Sequence, residues 1–254
     1  MPPMTASAAL TSDAIARYID EVLRWNTRFN LVSRQDTEPR LRALVRQSAL
    51  GCERLWRTML PRDAAAAAGA RDLWYVDLGS GAGLPGFVWH LMLSTEGALA
   101  GSWLVEPRDK RAWFLARLPR TCGVAPYTVL QGRWGEIAPN PDADSDAPAT
   151  PGVVVLTLKA LHLDDTEVLA GLVHAAQEGF DVVPTAGGQV VVARYASPDQ
   201  EIDEALSQRL GLAEPGRARS IGGLRYRAGE PEALSVGDAS APEARLIISR
   251  FEIL

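Results

Sequence analysis

The stretch Asp77-Leu78-Gly79-Ser80-Gly81-Ala82-Gly83-Leu84-Pro85-Gly86 decides the fold. It follows Trp74-Tyr75-Val76-Asp77-Leu78, which reads as a short buried strand, and opens into Phe87 to Leu93, which reads as a helix. Glycine has no Cβ, so glycines at 79, 81 and 83 let the backbone turn tightly and approach a ligand. Pro85 suits a first helical turn, where its missing N–H is no loss. The free N–H groups of that turn are expected to face a bound anion. Downstream, Trp103 to Val105, Tyr127 to Leu130, Val153 to Leu158, Gln189 to Ala193 and Arg245 to Phe251 read as strands. Lys110 to Leu118, Asp164 to Gly179 and Pro198 to Leu210 read as helices between them. Such alternation predicts an α/β fold, a parallel sheet with helices on both faces.

Upstream the rhythm is helical. Thr11, Ser12 and Asp13 are candidate N-caps for an amphipathic helix over 13–29, with Ile15, Ile19, Val22, Leu23 and Asn26 at helical spacing. A second helix is expected over 38–60, before Pro61, and the Ala64–Ala68 run with Gly69 reads as a linker. The expected organisation is a helical extension over 1–62 and a cofactor-binding domain over 70–254. Residues 139–152 read as a polar loop and 212–244 as an irregular hairpin region.

The loop also selects its ligand. A dinucleotide loop spaces its glycines differently, and an acid, Asp77, immediately precedes this one. A carboxylate there repels a pyrophosphate and suits a cationic ligand with an amino group. S-adenosylmethionine, a sulfonium with an amino acid tail, fits. A second acid, Glu106, ends the second strand and can accept both ribose hydroxyls.

Composition sets the outer bounds. The chain has 254 residues, 47% hydrophobic and 22% charged, with a net charge of −5. This is a globular balance, neither disordered nor fibrous. No apolar run approaches the roughly 18 residues a membrane helix needs, and Met1-Pro2-Pro3-Met4-Thr5 has no leader character. A soluble, cytoplasmic chain is expected. Two cysteines, Cys52 and Cys122, make neither a disulfide framework nor a four-thiolate metal site, and both suit helix packing. No metal is expected.

The charge is unevenly spread. Residues 1–62 hold ten arginines against six acids, and 102–134 hold six basic residues against two acids. The remainder holds ten basic residues against twenty-three acids. Two basic segments on an acidic body are the footprint of a polyanion site, or else solvated helix faces. Arg24, Arg28 and Arg34 fit either account. Lys110 and Lys159 are the only lysines.

Four segments together carry a family resemblance. They are Gly79-Ser80-Gly81-Ala82-Gly83-Leu84-Pro85-Gly86, Trp25-Asn26-Thr27-Arg28-Phe29-Asn30-Leu31-Val32-Ser33, Glu106-Pro107-Arg108-Asp109-Lys110-Arg111-Ala112-Trp113-Phe114-Leu115, and Gln131-Gly132-Arg133-Trp134-Gly135-Glu136. The chain resembles the bacterial small-subunit ribosomal RNA guanine-N7 methyltransferases, the glucose-inhibited division protein B family. The resemblance implies a class I methyltransferase, Rossmann-like, with a seven-stranded, mostly parallel sheet and an N-terminal helical extension. It implies methyl transfer from S-adenosylmethionine to nitrogen 7 of a guanine in 16S rRNA, by a monomer without a membrane partner. Donor contacts are then expected from Asp77, Gly79, Ser80, Gly81, Gly83, Pro85, Glu106, Arg133 and Trp134. RNA contacts are expected from Asn30, Arg34, Lys110, Arg111, Lys159 and Arg194, with Lys159, Arg194 and Arg133 positioning the acceptor.

The acceptor half departs from the family pattern at three places. Arg46-Gln47-Ser48-Ala49-Leu50-Gly51 stands where the family has Arg-His-x-x-Asp-Ser. Thr157-Leu158-Lys159-Ala160 stands where it has Ser-Arg-Ala, with either Lys159 or Leu158 at the arginine's place. Arg194-Tyr195 stands where it has Lys-Gly. A methyltransferase with another acceptor, and a non-catalytic RNA-binding homologue, are the alternatives. His90, His162 and His174 have no metal-like spacing; His162, next to the fourth strand's end, is the one with a site role open to it. Of the seven tryptophans, Trp134 is the one expected to stack on a ligand.

Overall fold

A computed structural model describes residues 5–35, 37–59, 73–95, 99–137, 151–180, 182–198, 202–238 and 241–254. The Ala64–Ala68 linker with Gly69, and residues 139–150 of the polar loop, lie outside the described residues.

The apolar run at 73–78 is β1 (Leu73–Leu78), buried at every position. A strand covered on both faces reads as a continuous apolar run. It lies between β2 (Leu99–Val105) and β4 (Val153–Leu158), parallel to both. β3 (Thr128–Leu130) adds outside β2, and β5 (Gln189–Ala196) outside β4, again parallel. β9 (Ala241–Ile253) then runs antiparallel to β5. Beyond β9, β7 (Leu224–Ala228) pairs with residues 251–253 and β8 (Glu232–Asp238) with residues 241–248. β6 (Ala218–Ile221) closes against β7, giving the order β3-β2-β1-β4-β5-β9-β7-β6.

Seven strands were the expectation; the sheet has nine. The difference comes from the segment read as irregular. Gly222 and Gly223 both take positive φ, 52° and 88°, and join β6 to β7 as a two-residue turn. Only glycine-like residues hold two such conformations in succession. β9, thirteen residues long, is wide enough to carry β7 and β8 side by side.

Helices cover both faces. α1 (Ala6–Leu10), α2 (Asp13–Asn26) and α3 (Thr37–Met59) come first. The Ser12 side chain caps α2 by accepting from the Ile15 N–H, and Ile15, Tyr18, Ile19 and Val22 form its buried stripe. α4 (Gly86–Ser94) and α5 (Asp109–Cys122) lie on the same side. α5 continues past its expected end at Leu118, through Pro119, and stops at Gly123 in the left-handed conformation. α6 (Asp165–Gln177) opens on a capping box between Asp164 and Glu167 and covers the other face. α7 (Glu204–Leu210) is shorter than the helix expected from Pro198, because Asp203 caps it by accepting from the Leu206 N–H at 2.7 Å.

The helical extension shares the core of the sheet. Tyr18, Val22, Leu41 and Val45 belong to one buried cluster with Tyr75, Phe87, Phe114 and Leu115. Tyr18 stacks on Phe87 at 4.5 Å, and its hydroxyl donates to the Ala82 carbonyl at 2.9 Å. The extension therefore braces the glycine loop. On the opposite face Trp74, Val76, Trp103, Val168 and Phe251 form the second cluster.

Candidate active site

The glycine loop is fixed from both ends. The N–H groups of Gly79 and Ser80 donate to the Val105 carbonyl at 2.9 and 3.0 Å, tying the loop to the end of β2. Gly79, Gly81 and Gly83 all take positive φ, at 73°, 58° and 93°. The Gly81 N–H donates to Glu106 Oε2 at 2.8 Å, and the Arg108 N–H donates to Oε1 at 3.0 Å. Glu106 is 3% exposed yet lines the cleft, its carboxylate set in place by two backbone donors.

The cleft measures about 600 Å³ and opens at the carboxyl ends of β1 to β4. Ligands of open α/β sheets bind at such ends. Gly79, Glu106 and Arg108 form one wall, Gly132, Arg133 and Trp134 a second, and Lys159, Leu161 and Leu163 a third. Its size is that of a small-molecule site. The residues suit S-adenosylmethionine: side-chain-free loop positions, a fixed carboxylate acceptor, and further acids Glu136 and Glu167 around a cationic ligand.

Several expected donor contacts lie elsewhere. Asp77 is 1% exposed; Oδ1 accepts from the Thr157 hydroxyl at 2.6 Å, and Oδ2 sits against Gly86, where a Cβ would overlap it. Gly86, the first residue of α4, packs directly against this carboxylate. Burial pushes the Asp77 carboxyl up to about 6, against the opposing pull of Thr157, Ser80, Gly86 and the Lys159 charge. Ser80 is buried, its hydroxyl donating to the Asp77 carbonyl at 3.0 Å. Pro85 is buried as the N-cap of α4, one place earlier than the first helical turn. These three shape the loop from beneath. Trp134 lines the cleft, but its Nε1 donates to the Val168 carbonyl at 3.0 Å and its ring fills the space over Gly171. The indole is thus fixed in place, half-buried, with part of it on the cleft wall.

The two basic segments meet. Arg28, Phe29 and Asn30 after α2 face Arg108, Lys110 and Arg111 of α5 across a groove of about 390 Å³. Arg111 donates to the Asn30 carbonyl at 3.0 Å. Arg108 and Arg111 line both groove and cleft, so the two are continuous. Arg34 is exposed but does not line the groove. Arg108 was absent from the expected site; its place two residues beyond Glu106 is the signal that pointed to it.

Arg194 is a correction. It is 4% exposed and ion-paired with Asp165 at 2.8 Å, and it also donates to Ser249 Oγ and the Leu163 carbonyl. A guanidinium held this way inside the protein cannot meet RNA.

Lys159 does reach the cleft. Leu158 is 1% exposed, in the core, so Lys159 is the residue of that pair at the site. Lys159 Nζ donates to Gln47 Oε1 at 2.8 Å and lies 4.8 Å from the Tyr195 ring centre. Burial lowers its pKa from 10.5 to about 8, with Asp77 pulling the other way. Trp89 Nε1 donates to both the Ser48 carbonyl and the Tyr195 hydroxyl, at 2.9 and 3.2 Å. A Cβ on Gly51 would come within 2.5 Å of the same hydroxyl. The three departures from the family pattern are therefore one cluster, joined through Gln47, Lys159 and Tyr195. Sequence reading had them as separate changes because 112 positions part the first two.

The histidines stay outside the chemistry. His90 is buried between Ser102 and the Ala125 carbonyl, and burial lowers its pKa to about 4. His162 is exposed and His174 half-buried. Cys52 and Cys122 are buried in α3 and α5. Among the described residues no group could hold a metal, and no helix is long and apolar enough to cross a membrane.

Five parallel strands with β9 antiparallel beside β5, a glycine loop after β1 and an acid following β2 define a class I methyltransferase. The family model of rRNA small subunit methyltransferase G matches residues 11–147, over half of the chain. The chain belongs to that family. It is 28% identical over 198 residues to ribosomal RNA small subunit methyltransferase G of Ruegeria pomeroyi, covering 78% of this chain and 80% of the relative. It is 32% identical over 133 residues to the protein of that name in Nitratidesulfovibrio vulgaris, covering 52% and 55%. Among solved structures it is similar to an rRNA methylase from Streptococcus thermophilus, at 13% identity and a TM-score of 0.38, over 82% of this chain and 94% of that one. The family match ends before β4, so Lys159 and Arg194 lie outside it.

Proposed function

We propose that this chain methylates nitrogen 7 of a guanine in 16S rRNA, using S-adenosylmethionine, as a cytoplasmic monomer acting on the small ribosomal subunit or its RNA. The observation that carries the reading is the continuity of cleft and groove. A carboxylate held by the loop faces a small-molecule cleft, and that cleft opens into a cationic groove suited to phosphates. Residues 70–254 form the cofactor-binding domain and residues 1–62 the helical extension that braces it.

When bound, S-adenosylmethionine supplies an electrophilic methyl group. Gly79, Glu106, Arg133 and the Trp134 backbone hold the donor, with Gly81 and Gly83 shaping the loop. Asn30, Lys110 and Arg111 hold RNA. Nitrogen 7 carries an in-plane lone pair, so the protein has no proton to remove before transfer. Its task is alignment, which supplies up to roughly 7–11 kcal/mol when donor and acceptor are well oriented. Lys159, on the cleft wall, holds guanine oxygen 6 in this reading, exchanging its bond to Gln47 for one to the base and leaving nitrogen 7 open.

The direct test is transfer of labelled methyl to small subunits, and to naked 16S rRNA, from a strain lacking this gene. Label in one guanine as 7-methylguanine is expected. Label in another nucleotide would favour a changed acceptor, which the Gln47–Lys159–Tyr195 cluster supports. Donor binding without transfer would overturn the enzymatic reading.

Lys159 gives a pH signature. Its ammonium is present below pH about 8 and lost above it. Transfer should fall as pH rises through 8, while donor affinity holds. Unfolding does not mimic this. A lysine whose folded pKa is lowered makes the protein more stable as pH rises from 8 towards 10.5. Lys159→Met should lose about tenfold in rate, the scale of one hydrogen bond to a charged group, and flatten that fall. An unchanged pH profile in the variant would remove Lys159 from the acceptor site.

A further inference from the structure

Trp113 is the one large apolar side chain left exposed among the described residues, at 49%. It stands on α5, one turn after the groove residues Asp109 and Lys110. Its ring meets Trp25 edge-on at 4.9 Å and 73°, and Phe29 at 5.7 Å and 84°. The Arg117 guanidinium lies 4.9 Å from the Trp113 and Trp25 ring centres. Trp25 is itself fixed, its Nε1 donating to the buried Glu21 at 3.1 Å, and Arg28 covers its ring at 5.1 Å. Helices α2 and α5 thus hold the Trp113 ring firmly while about half of its surface stays open.

Rigid, half-open and with the Arg117 guanidinium against it, this indole has the chemistry of a base-stacking platform. Phe29 packs against it and also lines the basic groove, so the ring and the phosphate-binding cations form one surface. The acids nearby are few: Glu21 is engaged by Arg24 and Arg117, and Asp109 accepts from Gln131. A protein partner needs a far broader apolar patch than one ring. An unpaired nucleotide needs one aromatic face and a cation for its phosphate.

Building on the rRNA reading, we infer that Trp113 stacks on an unpaired base of the substrate RNA, with Arg28 and Lys110 holding the adjoining phosphates. The groove joins the methyl-transfer cleft through Arg108 and Arg111, so the stacked base is a neighbour of the target guanine and not the target itself. Trp113 thereby contributes to choosing the site on the RNA.

The test is binding of 16S rRNA and small subunits by wild type, Trp113→Ala, Trp113→Tyr and Lys110→Ala across a salt series. Stacking is worth about 1–3 kcal/mol per base, so Trp113→Ala should weaken binding about tenfold with the salt slope unchanged. Trp113→Tyr should recover most of the loss. Lys110→Ala should reduce the salt slope by about 0.7–0.9, one phosphate contact. S-adenosylmethionine affinity should be equal in all four. A photoreactive phenylalanine analogue at position 113 should crosslink to an unpaired nucleotide. Wild-type affinity in Trp113→Ala, or a crosslink only to a ribosomal protein, would overturn the inference and leave the rRNA reading standing. Failure of the wild type to bind either RNA would overturn both.

Discussion

Arg194→Ala is expected to lower the stability of the protein by about 3–5 kcal/mol, the scale of breaking a buried pair by removing one partner. For a chain of this size that is a fall in Tm of about 10 °C. The reason is what remains. Asp165 is 1% exposed and has the Arg194 guanidinium 2.8 Å away, with one backbone donor, the Ala213 N–H at 3.0 Å. Burial already raises the Asp165 carboxyl above its usual range, with Arg194 as the first opposing influence. Without Arg194 the carboxyl rises further, and the folded state binds a proton that the unfolded state has lost. Stability of the variant should therefore fall as pH rises through the acid range, and the defect should shrink at low pH. Arg194→Met with Asp165→Leu should recover most of the loss, because two apolar groups need no charge partner. Thermal melts across pH decide the matter. A variant that melts normally but loses RNA affinity would return Arg194 to the substrate site.

Arg194 also shows where sequence reading stops. Its charge was legible; its direction was not. Arg194 stands in β5 and Asp165 at the start of α6, and only the packing of that helix on the sheet turns one towards the other. Leu158 is the last residue of β4 and Lys159 the first beyond it, so the point at which the strand ends decides which of the two reaches the cleft. The elements set by local rules were readable: the buried run of β1, the glycine loop, the Ser12 cap and Glu106 at the end of β2. The two extra strands were not, since β6 and β8 acquire their order from a two-glycine turn and from pairing with β9. The surroundings of the tryptophans were not legible for the same reason. Trp134 is locked over Gly171, a neighbour 37 positions away, while Trp113 sits in a helical pattern yet faces outward.

Glu106→Ala is expected to weaken S-adenosylmethionine binding by roughly 10²–10³-fold. The carboxylate accepts from the Gly81 and Arg108 N–H groups, and a hydrogen bond to a charged group is worth about 1.5–3 kcal/mol. Those two bonds are absent from the free and the donor-bound variant alike and do not enter the affinity. What binding loses is the acceptor for two ribose hydroxyls, together about 3–4 kcal/mol, at 1.4 kcal/mol per tenfold. The loop should still form in the free protein. Gly79 and Ser80 remain bonded to Val105, Gly83 to Ser80, and Tyr18 to Ala82. The melting temperature should therefore drop far less than in Arg194→Ala. Glu106→Gln keeps one carbonyl acceptor and turns its other atom into a donor, which opposes the N–H it must meet. It should fall between wild type and Glu106→Ala, at about tenfold. Titration calorimetry of the donor with each variant gives the three affinities, and RNA binding in the absence of donor serves as the control. Unchanged donor affinity in Glu106→Ala would mean that the cleft beside the glycine loop is not the donor site. RNA affinity equal to wild type, with donor affinity lost, would separate the two halves of the site as the continuity of cleft and groove requires.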